Sequence, residues 1–170
     1  GLYTEELLGF FQENDIRATF FVLGEQVEKY PDVIRLMDET GCQIGNHTYS
    51  HERLTELSEE DMLIQINKTN EVLKSILGKG TQIVRPTYGS VNSSVRETVN
   101  YPLIMWSFDT EDWKLKDSKK IAEVILKNVK DGDVLLMHDI HDFTVEAMKL
   151  VLPILKEQGY QFVTIDELAA

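Results

Sequence analysis

Residues 42–51 read CQIGNHTYSH. Cys42–Ile44 has the make-up of a short strand, Gly45 and Asn46 favour turns, and two histidines four apart follow. On a helix that spacing would put both imidazoles on one face. Here the turn residues place the pair on a loop that leaves the C-terminal end of a strand. Catalytic groups of α/β folds collect at that end. The question for the fold is whether other strands of the chain end in the same way.

Outward from this stretch, apolar runs of strand length alternate with amphipathic segments of helix length. Thr4–Glu13 reads as a helix with Leu7, Leu8 and Phe11 on one side, and Ala18–Leu23 as a buried strand stopped by Gly24. Pro31–Thr40 is a predicted helix, with proline in its first turn and Gly41 past its end. Ser58–Leu77 is the longest one, capped by Ser58 and closed by Gly78. Thr81–Val84, Leu103–Phe108, Val134–Met137 and Phe162–Ile165 read as strands. Ser93–Val99, Ser118–Val129 and Val145–Lys156 read as helices, the last kinked at Pro153, and a short helix starts at Asp166. This alternation predicts a parallel sheet covered by helices. Six strand candidates leave a doubly wound sheet and an incomplete β/α barrel both open. No linker, repeat or low-complexity tract divides the chain, so residues 1–170 are expected to be a single domain.

The composition, 42% hydrophobic and 27% charged, suits a domain with a real core. The net charge of −12, from 29 acidic and 17 basic residues, disfavours nucleic acid and anionic membranes as partners. No run of 18 apolar residues is present to span a membrane. Cys42 is the only cysteine, which rules out an internal disulfide and a cysteine-based zinc cluster. The chain begins at Gly1 and shows no signal peptide, so a longer parent protein is expected.

Four polar clusters each follow a strand candidate. His47 and His51 follow Cys42–Ile44, and Arg85-Pro86-Thr87-Tyr88-Gly89 follows Thr81–Val84. Asp109-Thr110-Glu111-Asp112-Trp113 follows Leu103–Phe108, and His138-Asp139-Ile140-His141 follows Val134–Met137. Parallel strands turn all these ends the same way. The expectation is one mouth lined by a histidine pair, an arginine, two carboxylates, a tryptophan and a further histidine. Alone, each cluster has a plain structural reading: backbone-bonded loop histidines, a surface arginine, or aspartates capping turns. For Asp109 that reading is as good as a functional one. His141 is expected at the rim, outside the reacting centre.

In this order the clusters resemble the polysaccharide deacetylase family, also called the NodB-homology domain or carbohydrate esterase family 4. HTYSH matches the second family motif, RPTYG the third, DTEDW the fourth and LMH the fifth. ATFFVLG upstream is similar too, and the match covers nearly the whole chain. The resemblance implies an α/β fold of the distorted (β/α)-barrel type, incomplete at the N-terminus in this chain. It implies metal-dependent removal of acetyl groups from N-acetylated sugars of a polysaccharide, peptidoglycan or a chitin-like N-acetylglucosamine polymer. The metal would be zinc or another divalent transition metal, with His47 and His51 as ligands. His138 would be the general acid that protonates the leaving amine, and Asp112 would hydrogen-bond its ring. Trp113 and Leu136 would wall the acetyl pocket, and Tyr88 would lend a backbone N–H to the oxyanion. Arg85 would orient the base carboxylate. That base and the third metal ligand belong to the family's first motif, T-F-D-D-G-P, which is expected upstream of this chain. Without it, the 170-residue chain is expected to be impaired as a catalyst. Thr87 stands where the family more often has proline, which touches loop rigidity.

Three further readings compete: an acetyl xylan O-esterase with the same site, a non-catalytic carbohydrate-binding member of the fold, and a metal-dependent hydrolase of an unrelated substrate. A polymer outside the cell implies a bacterial extracellular or cell-surface location.

Overall fold

The computed structural model describes residues 1–170. In chain order the elements are α1 (Thr4–Glu13), β1 (Thr19–Val22), α2 (Gly24–Lys29), α3 (Pro31–Glu39), β2 (Gln43–Asn46), α4 (Glu59–Leu77) and α5 (Ser93–Thr98). There follow β3 (Phe108–Asp109), α6 (Asp112–Leu115), α7 (Ser118–Asn128), β4 (Leu135–Leu136), α8 (Asp142–Glu157) and α9 (Ile165–Ala169). The chain forms two compact units, one of Thr19–Met105 and one of Gly1–Ala18 with Trp106–Ala170.

In the Thr19–Met105 unit, β1 and β2 pair in parallel, with Thr19 opposite Gln43 and Val22 opposite Asn46. β2 runs further than the sequence indicates, to Asn46, because the His47 amide still donates to the Val22 carbonyl at 2.9 Å. Parallel bridges then continue from Asn46 to Val84 and from Val84 to Leu103. The predicted strands at Thr81–Val84 and Leu103–Phe108 thus shrink to single bridging residues here. Thr81 explains part of this, since its hydroxyl donates to the Ile44 carbonyl at 2.7 Å in place of a backbone amide. The core gathers Leu54, Met62, Ile66, Val84, Val95 and Val99. α4 begins as the sequence predicts, with Ser58 Oγ accepting from the Asp61 amide at 3.1 Å. It ends at Gly78, whose φ of 72° closes the last turn at no steric cost. α2 is not foreseen by the sequence reading. Its first residue is Gly24, where a Cβ would lie 2.3 Å from the Tyr49 ring, so only glycine lets this turn close down on the histidine loop.

In the other unit, β3 pairs in parallel with β4, Phe108 opposite Leu135 and Asp109 opposite Leu136. α7 packs on α8 through Ile121, Ile125, Ala147, Val151 and Leu155. Leu7, Leu8 and Phe11 of α1 are buried, as their spacing predicts. α8 starts three residues before the predicted helix, at Asp142, and is continuous across Pro153. Phe162–Ile165 forms no strand. Thr164 caps α9 instead, in a reciprocal capping box with Glu167, and the Phe162 carbonyl accepts one bond from the Arg17 amide at 3.4 Å. The S/T-x-x-E signal therefore outweighs the apolar run. No helix is long and apolar enough to cross a membrane.

Candidate active site

The Thr19–Met105 unit brings His47, His51, Arg85 and Tyr88 together. His47 lies just past β2, and the neighbouring row carries Arg85, whose amide donates to the Asn46 carbonyl at 2.9 Å. His47 Nδ1 lies 2.6 Å from the Arg85 carbonyl. A carbonyl only accepts, so the His47 ring proton sits on Nδ1 and its lone pair on Nε2, the nitrogen a metal would take. The rings of His47 and His51 are 5.1 Å apart at their centroids. His51 also meets the Tyr88 ring edge-on at 4.8 Å.

The loop between the histidines is held from several sides. Gln65 of α4 accepts from the Tyr49 and Ser50 amides at 2.8 and 3.0 Å and donates to Ser50 Oγ at 2.8 Å. Buried Asn46 accepts from the Thr48 amide, and Thr48 Oγ1 accepts from the His51 amide. Thr87 donates to the Glu52 carbonyl at 2.6 Å, tying the RPTYG turn to the histidine loop. These bonds hold left-handed backbone at Thr48, His51 and Tyr88, with φ of 71°, 63° and 58°. Such non-glycine strain persists where the surroundings over-determine it and clusters at functional sites.

Arg85 is buried. Its guanidinium donates to the Ile104 and Met105 carbonyls at 3.1 and 2.9 Å and lies 4.1 Å over the Phe21 ring. Burial pulls its pKa down to about 10, which still leaves it charged at neutral pH.

The other unit brings together Asp112 and His138. Asp112 opens α6, a single turn flanked by left-handed Glu111 and Lys116; His138 follows β4 by two residues. Asp112 is fully buried and accepts four hydrogen bonds. Oδ1 takes the Trp113 amide and His138 Nδ1, both at 2.8 Å. Oδ2 takes the His138 amide at 2.7 Å and Thr144 Oγ1 at 2.8 Å. Burial alone would raise this carboxyl; the bonds from the His138 ring and amide and from Thr144 outweigh it and hold the pKa below the usual range. The bond to Asp112 likewise lifts His138 above an ordinary histidine, against its own desolvation, and Asp109 and Asp139 add to the lift. His138 Nε2 is then the ring position from which a proton can be given to a substrate.

Leu136 is half-buried in β4, and Trp113 is 49% exposed, so the tryptophan presents a large apolar face. Asp109 Oδ1 accepts from the Glu111 amide at 2.9 Å, its plain turn role. His141 stacks on Phe143 at 4.6 Å and precedes α8 without a side-chain capping bond. The sequence reading missed Gln65, Asn46 and Thr144. Nothing local marks a helix glutamine or a helix threonine as the support of a loop or a carboxylate far away in the chain.

No cluster of three or more His, Cys, Asp or Glu side chains has the geometry of a metal site. His47 and His51 fit two places of a catalytic zinc site, which takes three protein ligands and one open position. The fit rests on the tautomer fixed at His47 and on the closeness of the two rings.

Comparison with known proteins places the chain in a family. The polysaccharide deacetylase family profile matches residues 2–102. The chain belongs to that family, which has an α/β fold of the distorted (β/α)-barrel class and whose deacetylases are in general metalloenzymes. It is 40% identical to the peptidoglycan-N-acetylglucosamine deacetylase PgdA of Listeria monocytogenes over 97% of its own length and 35% of that protein. The solved structure of the peptidoglycan deacetylase PdaC of Bacillus subtilis matches 99% of this chain and 83% of that one, with a TM-score of 0.96 and 36% identity. A carbohydrate esterase family 4 pseudoenzyme from Bacillus anthracis matches 99% of this chain and 60% of its own, with a TM-score of 0.92 and 28% identity. The chain spans about a third of the length of several curated relatives, 35% for both the Listeria protein and PdaC.

Proposed function

We propose that the chain is the catalytic part of a metal-dependent peptidoglycan deacetylase that hydrolyses the N-acetyl group of N-acetylglucosamine. The observation that carries this reading is the bond between His138 Nδ1 and the fully buried Asp112 at 2.8 Å, which favours the protonated form of the imidazole. The names of the Listeria and Bacillus cereus relatives, both peptidoglycan-N-acetylglucosamine deacetylases, support the substrate class, while PdaC of Bacillus subtilis is named for N-acetylmuramic acid. A lysozyme-like carboxylic acid could protonate an amine too, but a histidine lifted by one carboxylate suits neutral pH better.

In this reading His47, through Nε2, and His51 would hold the metal, with a third ligand expected from the family's first motif. When bound, zinc or a similar divalent cation would supply polarisation of the amide carbonyl and a more acidic water. The Tyr88 backbone N–H donates to the oxygen on which charge builds. An aspartate of that motif would serve as the base, with Arg85 to orient it. His138 gives its proton to the leaving nitrogen, and Asp112 keeps the ring in the right tautomer and stabilises its cationic form. Trp113 and Leu136 border the acetyl methyl and exclude water. The domain works outside the bacterial cell or on its surface, where the polymer is.

The test is acetate release from N-acetylated peptidoglycan, from N-acetylglucosamine oligomers and from acetylated xylan. It is run with zinc on the chain and on the chain extended upstream by the first motif. Acetate from the N-acetylated substrates, lost in His138→Ala, is the expected result. Release from xylan alone would replace the reading by the esterase. Zinc binding with no acetate from any sugar would point to an unrelated substrate. The pseudoenzyme among the solved relatives makes the non-catalytic reading specific: zinc and sugar bind, and no acetate appears in either form.

A further inference from the structure

Asp112 fills all four of its acceptor positions, two on each oxygen. Three of the four donors come from its chain neighbour Trp113 and from its partner His138. The fourth, Thr144, comes from a separate element, the first turn of α8. Thr144 is fully buried, as is Asp112. A helical threonine ordinarily turns its hydroxyl back to a carbonyl three or four residues earlier. Here the hydroxyl points instead at Oδ2 of a carboxylate 32 residues away, at 2.8 Å.

We propose that Thr144 is a positioning residue of the Asp112–His138 pair: its hydroxyl locks the carboxylate plane so that Oδ1 faces the imidazole, and it takes up part of the carboxylate's charge. Without it, Oδ2 keeps only the His138 amide, and the carboxylate can rotate about its last torsion. The catalytic meaning of the role rests on the deacetylase reading; the positioning itself does not. The groups that set the charge around His138 are Asp112, Asp109 and Asp139. The Thr144 hydroxyl turns its positive end toward the first of them. Its removal strengthens the negative field at the imidazolium, so His138 holds its proton to higher pH. The hydroxyl thereby keeps the acid from becoming too basic to give its proton up.

The test is a 15N NMR titration of His138 in the chain and in the Thr144→Val, Thr144→Ser and Thr144→Ala variants, with folding checked by circular dichroism. Thr144→Val is expected to raise the His138 midpoint by about half a unit and to broaden the Nδ1–H resonance through faster exchange. Thr144→Ser restores both. If Thr144→Val does not fold, the smaller Thr144→Ala carries the same expectation. A midpoint and an Nδ1–H signal unchanged in the folded hydroxyl-free variants would overturn the proposal. Acetate release by the motif-extended chain separates the two ideas. A fall in kcat at constant KM in Thr144→Val, rescued by serine, supports both. A midpoint shift with kcat untouched upholds the positioning role and removes His138 from the role of acid.

Discussion

The Nδ1–H of His47 donates to the backbone carbonyl of Arg85 at 2.6 Å, so the turn that follows one parallel row fixes the tautomer of the histidine that follows the next. The bond joins the HTYSH stretch to the RPTYG stretch. It also leaves Nε2 as the acceptor nitrogen of the ring, the one a metal would take in the proposed site. In 15N spectra of the zinc-loaded chain, His47 Nε2 should carry the coordination shift while Nδ1 stays protonated. A shift at Nδ1 would mean that the carbonyl bond breaks on loading and that the site is not preformed. His47→Ala should lose the bound zinc.

Replacement of Asp112 by asparagine should lower the His138 titration midpoint and reduce acetate release roughly 100- to 10,000-fold. The stability effect has a defined pH window. His138 has its pKa raised in the folded state, so its contribution is complete below about pH 6.5 and fades as pH rises through the raised value. Asp112 has its pKa lowered, so its contribution is complete above about pH 4 and fades as pH falls through the lowered value. The pair therefore stabilises most between about pH 4 and 6.5. Urea unfolding of the two proteins should differ more at pH 5.5 than at pH 9. An equal difference at both would show that the charge pair does not contribute.

Gln65→Leu removes three hydrogen bonds that α4 makes to the loop between the histidines. The loop keeps its sequence but loses the clamp that holds it in left-handed backbone. Zinc affinity should fall about 10- to 100-fold, the usual effect of losing the support of a ligand, with a stability loss of about 2 kcal/mol. Isothermal titration with zinc and urea unfolding read the two effects separately. Lost stability with full zinc affinity would make Gln65 a general loop anchor and nothing more.

Much of the placement of the candidate residues was legible because each cluster is contiguous in sequence and follows an apolar run. CQIGN before the histidines, IV before Arg85 and LLM before His138 place those residues at the ends of parallel rows, and the structure puts them there. Strand lengths were not legible. The Thr81 side chain substitutes for a ladder amide, and the Thr164 capping box claims residues whose apolarity suggested a strand. The supports were invisible for a different reason. Gln65, Thr87 and Thr144 act 15 to 35 residues from the groups they hold, and only the folded register brings them there.

Thr87 offers the sharpest separation of a side-chain bond from backbone stiffness. Its hydroxyl donates to the Glu52 carbonyl at 2.6 Å, and the residue is fully buried. The preceding Pro86 has φ of −61° and ψ of 140°, a conformation that a following proline accepts. The Thr87 carbonyl, which receives the Ser90 amide, is kept in any substitution. Thr87→Val keeps the shape and loses the bond, leaving the Glu52 carbonyl short of a donor, at a cost of about 1 to 2 kcal/mol. Thr87→Pro loses the same bond, but a proline that fits its site recovers about 0.4 to 1 kcal/mol by restricting the unfolded chain. Valine should therefore be the more damaging of the two in urea unfolding, and zinc affinity should follow the same order, because the bond ties the RPTYG turn to the loop that ends in His51. If proline proved the worse, the turn would depend on a torsion or an amide that threonine supplies at position 87, and the tie to Glu52 would be secondary.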